Sequence, residues 1–180
     1  DEKQRLFHHL SITDSLTGLH NRRHVQEEGK RIFQQAQQNR QPIACMILDI
    51  DHFKRVNDTF GHSAGDAVLR SLGEIFRQSL RETDLIARYG GEEFIVILPN
   101  TQIPAAVEIA ERVRKNVEQT SFGDGKGNQI HIGISIGIAH EHTTDLPYDL
   151  FLQNADHALF QAKRQGRNQS VLNKALDPGS

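Results

Sequence analysis

The 180-residue chain has no tryptophan, one methionine and one cysteine. A lone Cys45 rules out a disulfide within the chain, and its place in the apolar run 43–48 makes it a small buried hydrophobe. That usage fits a reducing compartment. No apolar stretch approaches the ~20 residues that span a bilayer, and no secretory leader opens the sequence. Direct membrane contact is therefore not expected of this piece. The formal net charge is only −2, which gives no basic face for non-specific nucleic-acid binding. Hydrophobic residues make up 37% and charged residues 24%, so the chain is not a disordered one and has enough apolar mass for a single cored domain. It starts at Asp1 without a methionine and reads as part of something longer: a cytoplasmic domain whose full-length protein is expected to carry an upstream sensor or membrane anchor.

Hydrophobic periodicity supplies the elements. Residues 1–12 are polar, with Leu6, Phe7 and Leu10 at near-helical spacing, and read as the end of a linker helix; 13–173 form the domain and 174–180 a tail. Residues 22–38 read as a surface helix on Val25, Ile32, Phe33 and Ala36, and 43–48 as a strand buried on both faces that ends in Asp49-Ile50-Asp51. Residues 53–66 read as a loop before a helix over 67–80. A further helix is expected over 99–119, with Pro104 in its first turn and Ile103 and Val107 facing inward. Isoleucines at every second position from Ile130 to Ile138 predict one strand with an isoleucine face and a small-residue face. A last helix over 150–164 and a short strand at 170–172 complete the order. The fold class expected is α+β, a central sheet that includes an antiparallel hairpin, with helices packed mainly on one face.

The densest information lies in Gly90-Gly91-Glu92-Glu93-Phe94, between two apolar runs. The glycine pair predicts a tight hairpin turn with positive φ at both residues. Adjacent glutamates repel, so a turn that sets bare backbone beside two carboxylates suits a polyphosphate with a hard, oxygen-seeking cation. Asp49 and Asp51 at a buried strand end are costly unless a cation or hydrogen bonds receive them. If the two segments are neighbours in one sheet, four carboxylates converge; taken separately, each pair reads better as a loop cap or a solvated turn. Lys54 can neutralise phosphate charge, and Asn57 and Asp66 are suited to a purine, since a carboxylate accepts from guanine N1–H and N2–H; as local sequence they also read as turn and helix-start residues. Lys163 and Arg167 could reach phosphates, or simply favour a helix C-terminus closed by Gly166. Arg81 and Asp84, three apart, could read guanine or form a weak surface pair. His140-Glu141-His142 lacks the cysteine or helical histidine partners of a zinc site.

These motifs, in order, resemble the GGDEF domain of diguanylate cyclases. The resemblance runs from about Thr13 to Asn168 and includes 14–23 (DSLTGLHNRR), 49–54 (DIDHFK), Asn57-Asp58 with Gly61-His62 and Gly65-Asp66, the Glu variant of the signature at 90–94, and 158–163 (ALFQAK) followed by Gly166-Arg167-Asn168. It implies a palm-like, ferredoxin-like, mostly antiparallel central sheet related to that of nucleotidyl cyclases, with surrounding helices and an active-site hairpin, and condensation of two GTP into cyclic di-GMP with loss of two pyrophosphates. By position, Asp49, the Ile50 carbonyl, Glu92 and Glu93 would hold two Mg2+ ions, with Mn2+ as a substitute. Glu92, Glu93 and Lys54 would be catalytic, Glu92 being the candidate base. Phe53, Lys54, Asn57, His62, Asp66, Gly90, Gly91, Lys163 and Arg167 would contact GTP. Arg81, Asp84 and Arg112 would form an inhibitory cyclic di-GMP site. One nucleotide site per domain implies a catalytic homodimer. The alternative implied is a silent domain acting as a GTP or cyclic di-GMP receptor. Phe160 stands where the family usually has tyrosine, a departure that touches no proposed role.

Overall fold

The structure, a computed structural model, describes residues 2–142 and 145–174, and of residues 8–11 the backbone alone. Helices α1 (Glu2–Ile12) and α2 (Arg22–Gln38) precede strand β1 (Ile43–Ile50), and α3 (Phe53–Phe60) and α4 (His62–Ser79) follow it. Strands β2 (Leu85–Arg88) and β3 (Glu93–Pro99) form the hairpin, followed by α5 (Ile103–Glu118) and the small pair β4 (Phe122–Gly123) and β5 (Gln129–Ile130). Strand β6 (Ile134–Glu141), helix α6 (Tyr148–Arg164) and strand β7 (Ser170–Leu172) close the chain. The tail expected at 174–180 lies outside the described residues from 175 on.

β1 is the centre of a five-stranded sheet ordered β2-β3-β1-β6-β7, antiparallel except for the β6–β7 pair. Every residue of β1 is buried, as its unbroken apolar run requires. Both faces of such a strand need cover, and the helices supply it from both sides. Val68, Leu72 and Phe76 of α4 and Ala106, Ala110 and Val113 of α5 pack with Met46, Leu48, Val96 and Ile136 on one face. Val25 and Phe33 of α2 and Phe151, Ala155 and Leu159 of α6 pack with Cys45, Ile47, Ile95 and Ile97 on the other. The expected one-sided packing is thus corrected, and the reason was already present in β1.

Three element readings also change. Residues 53–60 are helical rather than loop, because Phe53 and Val56 form a short buried stripe among charged neighbours, and Gly61 at φ 89° separates α3 from α4. The alternating run splits: Ile130 pairs with Phe122, Ile134 opens β6, and the Gly133 carbonyl between them accepts from the Asp51 N–H at 2.9 Å. The isoleucines on either side of the break still line one core. Helix α5 starts at Ile103, whose side chain is exposed, while Ala106 and Ile109 face inward.

The small face of β6 has a clear purpose. A Cβ at Gly137 would collide with the backbone of α6 at Ala155 and Leu159, so glycine there lets α6 lie directly on the sheet. Gly137→Ala should therefore destabilise the domain by roughly 1–3 kcal/mol through overpacking, seen as a lower urea midpoint at unchanged slope; an unchanged midpoint would contradict this close approach.

Candidate active site

The site grows from the end of β1. Asp49 is the register partner of Glu93, and the Ile50 N–H donates to the Glu92 carbonyl at 3.3 Å. Asp49 and Asp51 are both buried and both meet groups from the end of α6, as same-side residues two apart should. Their roles differ. Asp51 is held structurally: its Oδ1 accepts from Ser135 Oγ at 2.6 Å and its Oδ2 from the Asn168 N–H at 2.9 Å. Asp49 instead accepts from Lys163 Nζ at 2.6 Å.

Burial is the main cause that raises the proton affinity of Asp49, Glu92 and Glu93 above the ordinary carboxylate range. Repulsion adds to it, from Asp51 on Asp49, from Asp49 on Glu92, and from Asp156 and Asp49 on Glu93; Lys163 opposes the rise at all three. Crowded, partly desolvated carboxylates offering only oxygen are the donor chemistry of a magnesium site. No three such groups among the described residues are gathered closely enough to grip an ion, and Asp49 Oδ2 is taken by Lys163.

The glycine turn lies where expected but has another conformation. Four residues, 89–92, separate β2 from β3, and the Tyr89 and Gly90 N–H groups both donate to the Glu93 carbonyl, at 2.7 and 3.2 Å. Neither Gly90 nor Gly91 has positive φ, because a four-residue loop does not need the mirror-image turn of a two-residue hairpin. Their contribution is open space: a Cβ on Gly91 would meet nothing within 4 Å, and one on Gly90 only the Glu93 Cβ at 3.6 Å.

Two site residues escaped the sequence reading. Arg88 donates from Nε and Nη2 to the Gly91 carbonyl, at 3.1 and 2.8 Å, and its Nη1 lies 3.3 Å from Asp14 Oδ1. Asp14 Oδ2 also accepts from the Thr17 N–H and Oγ1, at 2.9 and 2.7 Å. The turn after α1 thus buttresses the glycine loop through one guanidinium. The sequence clues were the motif at 14–23, whose Asp-x-x-Thr opening had no role assigned, and an arginine two residues before the glycines.

The remaining expected residues fall into three places. Asn57 of α3 lies against Gly65 of α4, where a Cβ would strike its side chain; Asp66 is the next residue, and His62 is exposed at the start of α4. Lys54 is exposed in the first turn of α3, but the Phe53 side chain is core, so any substrate contact by Phe53 falls to its main chain. Arg167 is exposed just past α6, at φ 65°.

A family model for the diguanylate cyclase GGDEF domain matches residues 11–169. The chain belongs to that family. Among its relatives is the response regulator PleD of Caulobacter vibrioides, 42% identical over 168 residues, 92% of this chain but 37% of PleD. The chain thus spans little more than a third of that relative's length. A crystal structure of the coiled coil and GGDEF domain of DgcB from Caulobacter crescentus, in complex with c-di-GMP, superposes with a TM-score of 0.91 at 31% identity, covering 95% of this chain and 90% of that one. The structure of the active GGEEF domain of a diguanylate cyclase from Vibrio cholerae, whose signature also has glutamate in third place, gives 0.80 at 35% identity over 86% of this chain and 97% of that one.

At the other end of β2 from the signature loop, the GGDEF domain pairs Arg81 with Asp84. Arg81 forms a clamp on Asp84, with its N–H 2.8 Å from Oδ2 and its Nη2 2.7 Å from Oδ1, and Nη2 also donates to Thr101 Oγ1 at 2.7 Å. The Asp84 side chain is fully buried while Arg81 is 42% exposed, which is more than a surface ion pair. Arg112 Nη2 donates to the Ser79 carbonyl at the end of α4, at 2.7 Å.

The Arg88 buttress makes a prediction. Arg88→Ala frees the Gly91 carbonyl and leaves Asp14 without its cation, so the glycine loop should open more often. Amide hydrogen exchange at Gly90 and Gly91 should speed up about tenfold or more relative to the β1 core; equal protection would show that the loop holds its shape unaided.

Proposed function

We propose that this GGDEF domain is a diguanylate cyclase, condensing two GTP into cyclic di-GMP and releasing two pyrophosphates at the meeting of two domains. The observation that carries the reading is the pairing of Asp49 with Glu93 in register, beside a glycine loop whose backbone faces open space. Asp49, the Ile50 carbonyl, Glu92 and Glu93 would hold two Mg2+ ions, or Mn2+ in their place. When bound, such ions neutralise phosphoryl charge and acidify the attacking hydroxyl.

The chain's own groups do the rest. Lys54, Lys163 and Arg167 hold the phosphates, and Lys54 counters the charge that builds up during transfer. Asn57, His62 and Asp66 line the purine pocket, with Asp66 accepting from guanine N1–H and N2–H. Glu92 takes the proton of the 3′-hydroxyl, a task suited to a carboxylate whose proton affinity burial has raised. The 3′-oxygen then bonds to the α-phosphorus of the facing GTP, and the bond to the bridging oxygen breaks as pyrophosphate leaves. A second, symmetric transfer closes the ring. One site per domain holds one GTP, so two domains must face each other.

No helix among the described residues is long and apolar enough to cross a membrane. Helix α1 leaves Leu6 and Phe7 exposed, at 59% and 77%, consistent with a linker that pairs two domains under an upstream sensory region. The cytoplasm, where GTP is held, is the compartment this function needs.

Incubated with GTP and Mg2+, the domain should yield cyclic di-GMP and pyrophosphate, with specific activity falling on dilution. Glu92→Gln should lower the rate about 100-fold or more with the fold kept. A folded wild-type protein that binds GTP but forms no product would overturn the cyclase in favour of a receptor. The corner of Arg81, Asp84 and Arg112 is proposed as a product site, which requires Arg81 to turn outward from Asp84. Arg81→Ala should relieve inhibition by added cyclic di-GMP while turnover persists; inhibition undiminished in the variant would refute the site.

A further inference from the structure

Asp49 and Lys163 form an asymmetric pair. Asp49 is built into the central strand and its side chain is 12% exposed, whereas Lys163 stands in the last turn of α6 with 35% of its side chain in solvent. The carboxylate sits on a buried strand, and the lysine stem reaches it from a helix end that is partly in solvent. At 2.6 Å the ammonium holds Asp49 Oδ2, and a divalent ion could not share that oxygen without strong repulsion. Its field also acts on Glu92 and Glu93. Lys163 therefore partly offsets the charge of all three carboxylates, whose proton affinities remain raised in its presence, and among the described residues no three such groups are gathered on one ion position.

We propose that Lys163 is a stand-in cation: without nucleotide it holds Asp49 and keeps divalent ions off the acidic corner, and an arriving triphosphate draws it away, so that metal and nucleotide enter together. The inference rests on the cyclase reading, in which Lys163 is a phosphate ligand, and adds to it a second resting position and a consequence for binding order. An ammonium that leaves Asp49 for a phosphate exchanges one anion for another, so the swing needs no unpaired buried charge at either end. By linkage, nucleotide must tighten metal binding by the same factor as metal tightens nucleotide binding.

The test is Mn2+ binding, followed by electron paramagnetic resonance, to wild type, Lys163→Met and Lys163→Arg. Each is titrated alone and with guanosine 5′-(α,β-methylene)triphosphate, which cannot react. Wild type and Lys163→Arg should bind Mn2+ weakly until the analogue is added. Lys163→Met should bind Mn2+ alone at least about tenfold more tightly than wild type, and should gain less from the analogue. Equal or weaker Mn2+ binding by Lys163→Met without nucleotide overturns the proposal. Thermal melts certify each fold, and Lys163→Gln replaces the methionine variant if that one does not fold. Wild type that binds no Mn2+ even with the analogue would sink the cyclase reading, whereas normal binding with no gain in Lys163→Met sinks only the stand-in role.

Discussion

The carboxylates of Asp49, Glu92 and Glu93 crowd the end of β1, and one lysine at the end of α6 pairs with the first of them. Asp49 faces Glu93 across the ladder, Glu92 follows the loop, and each has its proton affinity raised chiefly by burial. The consequence for stability has a definite sign. A carboxylate whose folded value lies above its unfolded one exerts no effect while both states are protonated. It weakens the fold as pH climbs through the window between the two values. The acidic corner thus works against folding at neutral pH, and the layered core around β1 must offset it. A site that opposes its own scaffold is what a ligand-binding function would select, because charge introduced by the ligand relieves a strain that already exists.

The sheet delivers the lysine to that corner by simple geometry. Helix α6 has 17 residues, or about 25 Å, and β1 has eight, about 26 Å. The helix connects β6 to a parallel β7, so it runs back against β6 and in the same direction as β1. Both therefore finish at the same end of the sheet. Gly137 lets the helix lie close enough for Lys163 to reach Asp49 and for the Asn168 N–H to reach Asp51. The small residues of β6, far from any charge, are thus part of how the charged corner is made.

Much of this was legible in the sequence. The spans of α2 and β7 were read to the residue, and β1 to within two, because continuous or strongly periodic apolar patterns leave little choice. The meeting of Asp49 with the two glutamates was legible as a conditional, awaiting only proof that the strands are neighbours. What stayed hidden has a common physical cause. Helix α3 carries two buried side chains among charged ones, too few to show a period. The position of the glycine turn could be read but not its conformation, since loop length and not composition sets the turn type. The Asp14–Arg88 contact joins residues 74 apart, and the lysine expected on phosphate rests on Asp49, 114 residues away. Pairings of that range have no local signature.

The buttress also bears on how an upstream signal could act. The Asn21 N–H donates to the Ile12 carbonyl at 2.8 Å, the Arg88 N–H to the His20 carbonyl at 2.9 Å, and Arg88 holds the Gly91 carbonyl and Asp14. The end of α1, the first turn and the signature loop are therefore fastened as one body on the edge strand β2. If α1 serves as the proposed linker, its movement would reach the hairpin as a rigid shift and not as a bend, because bending would break several hydrogen bonds at once. Such a connection is poorly suited to distorting the loop and well suited to orienting the whole domain. In the proposed cyclase it would favour control through how two domains are brought face to face, the variable on which chemistry between two bound nucleotides would depend.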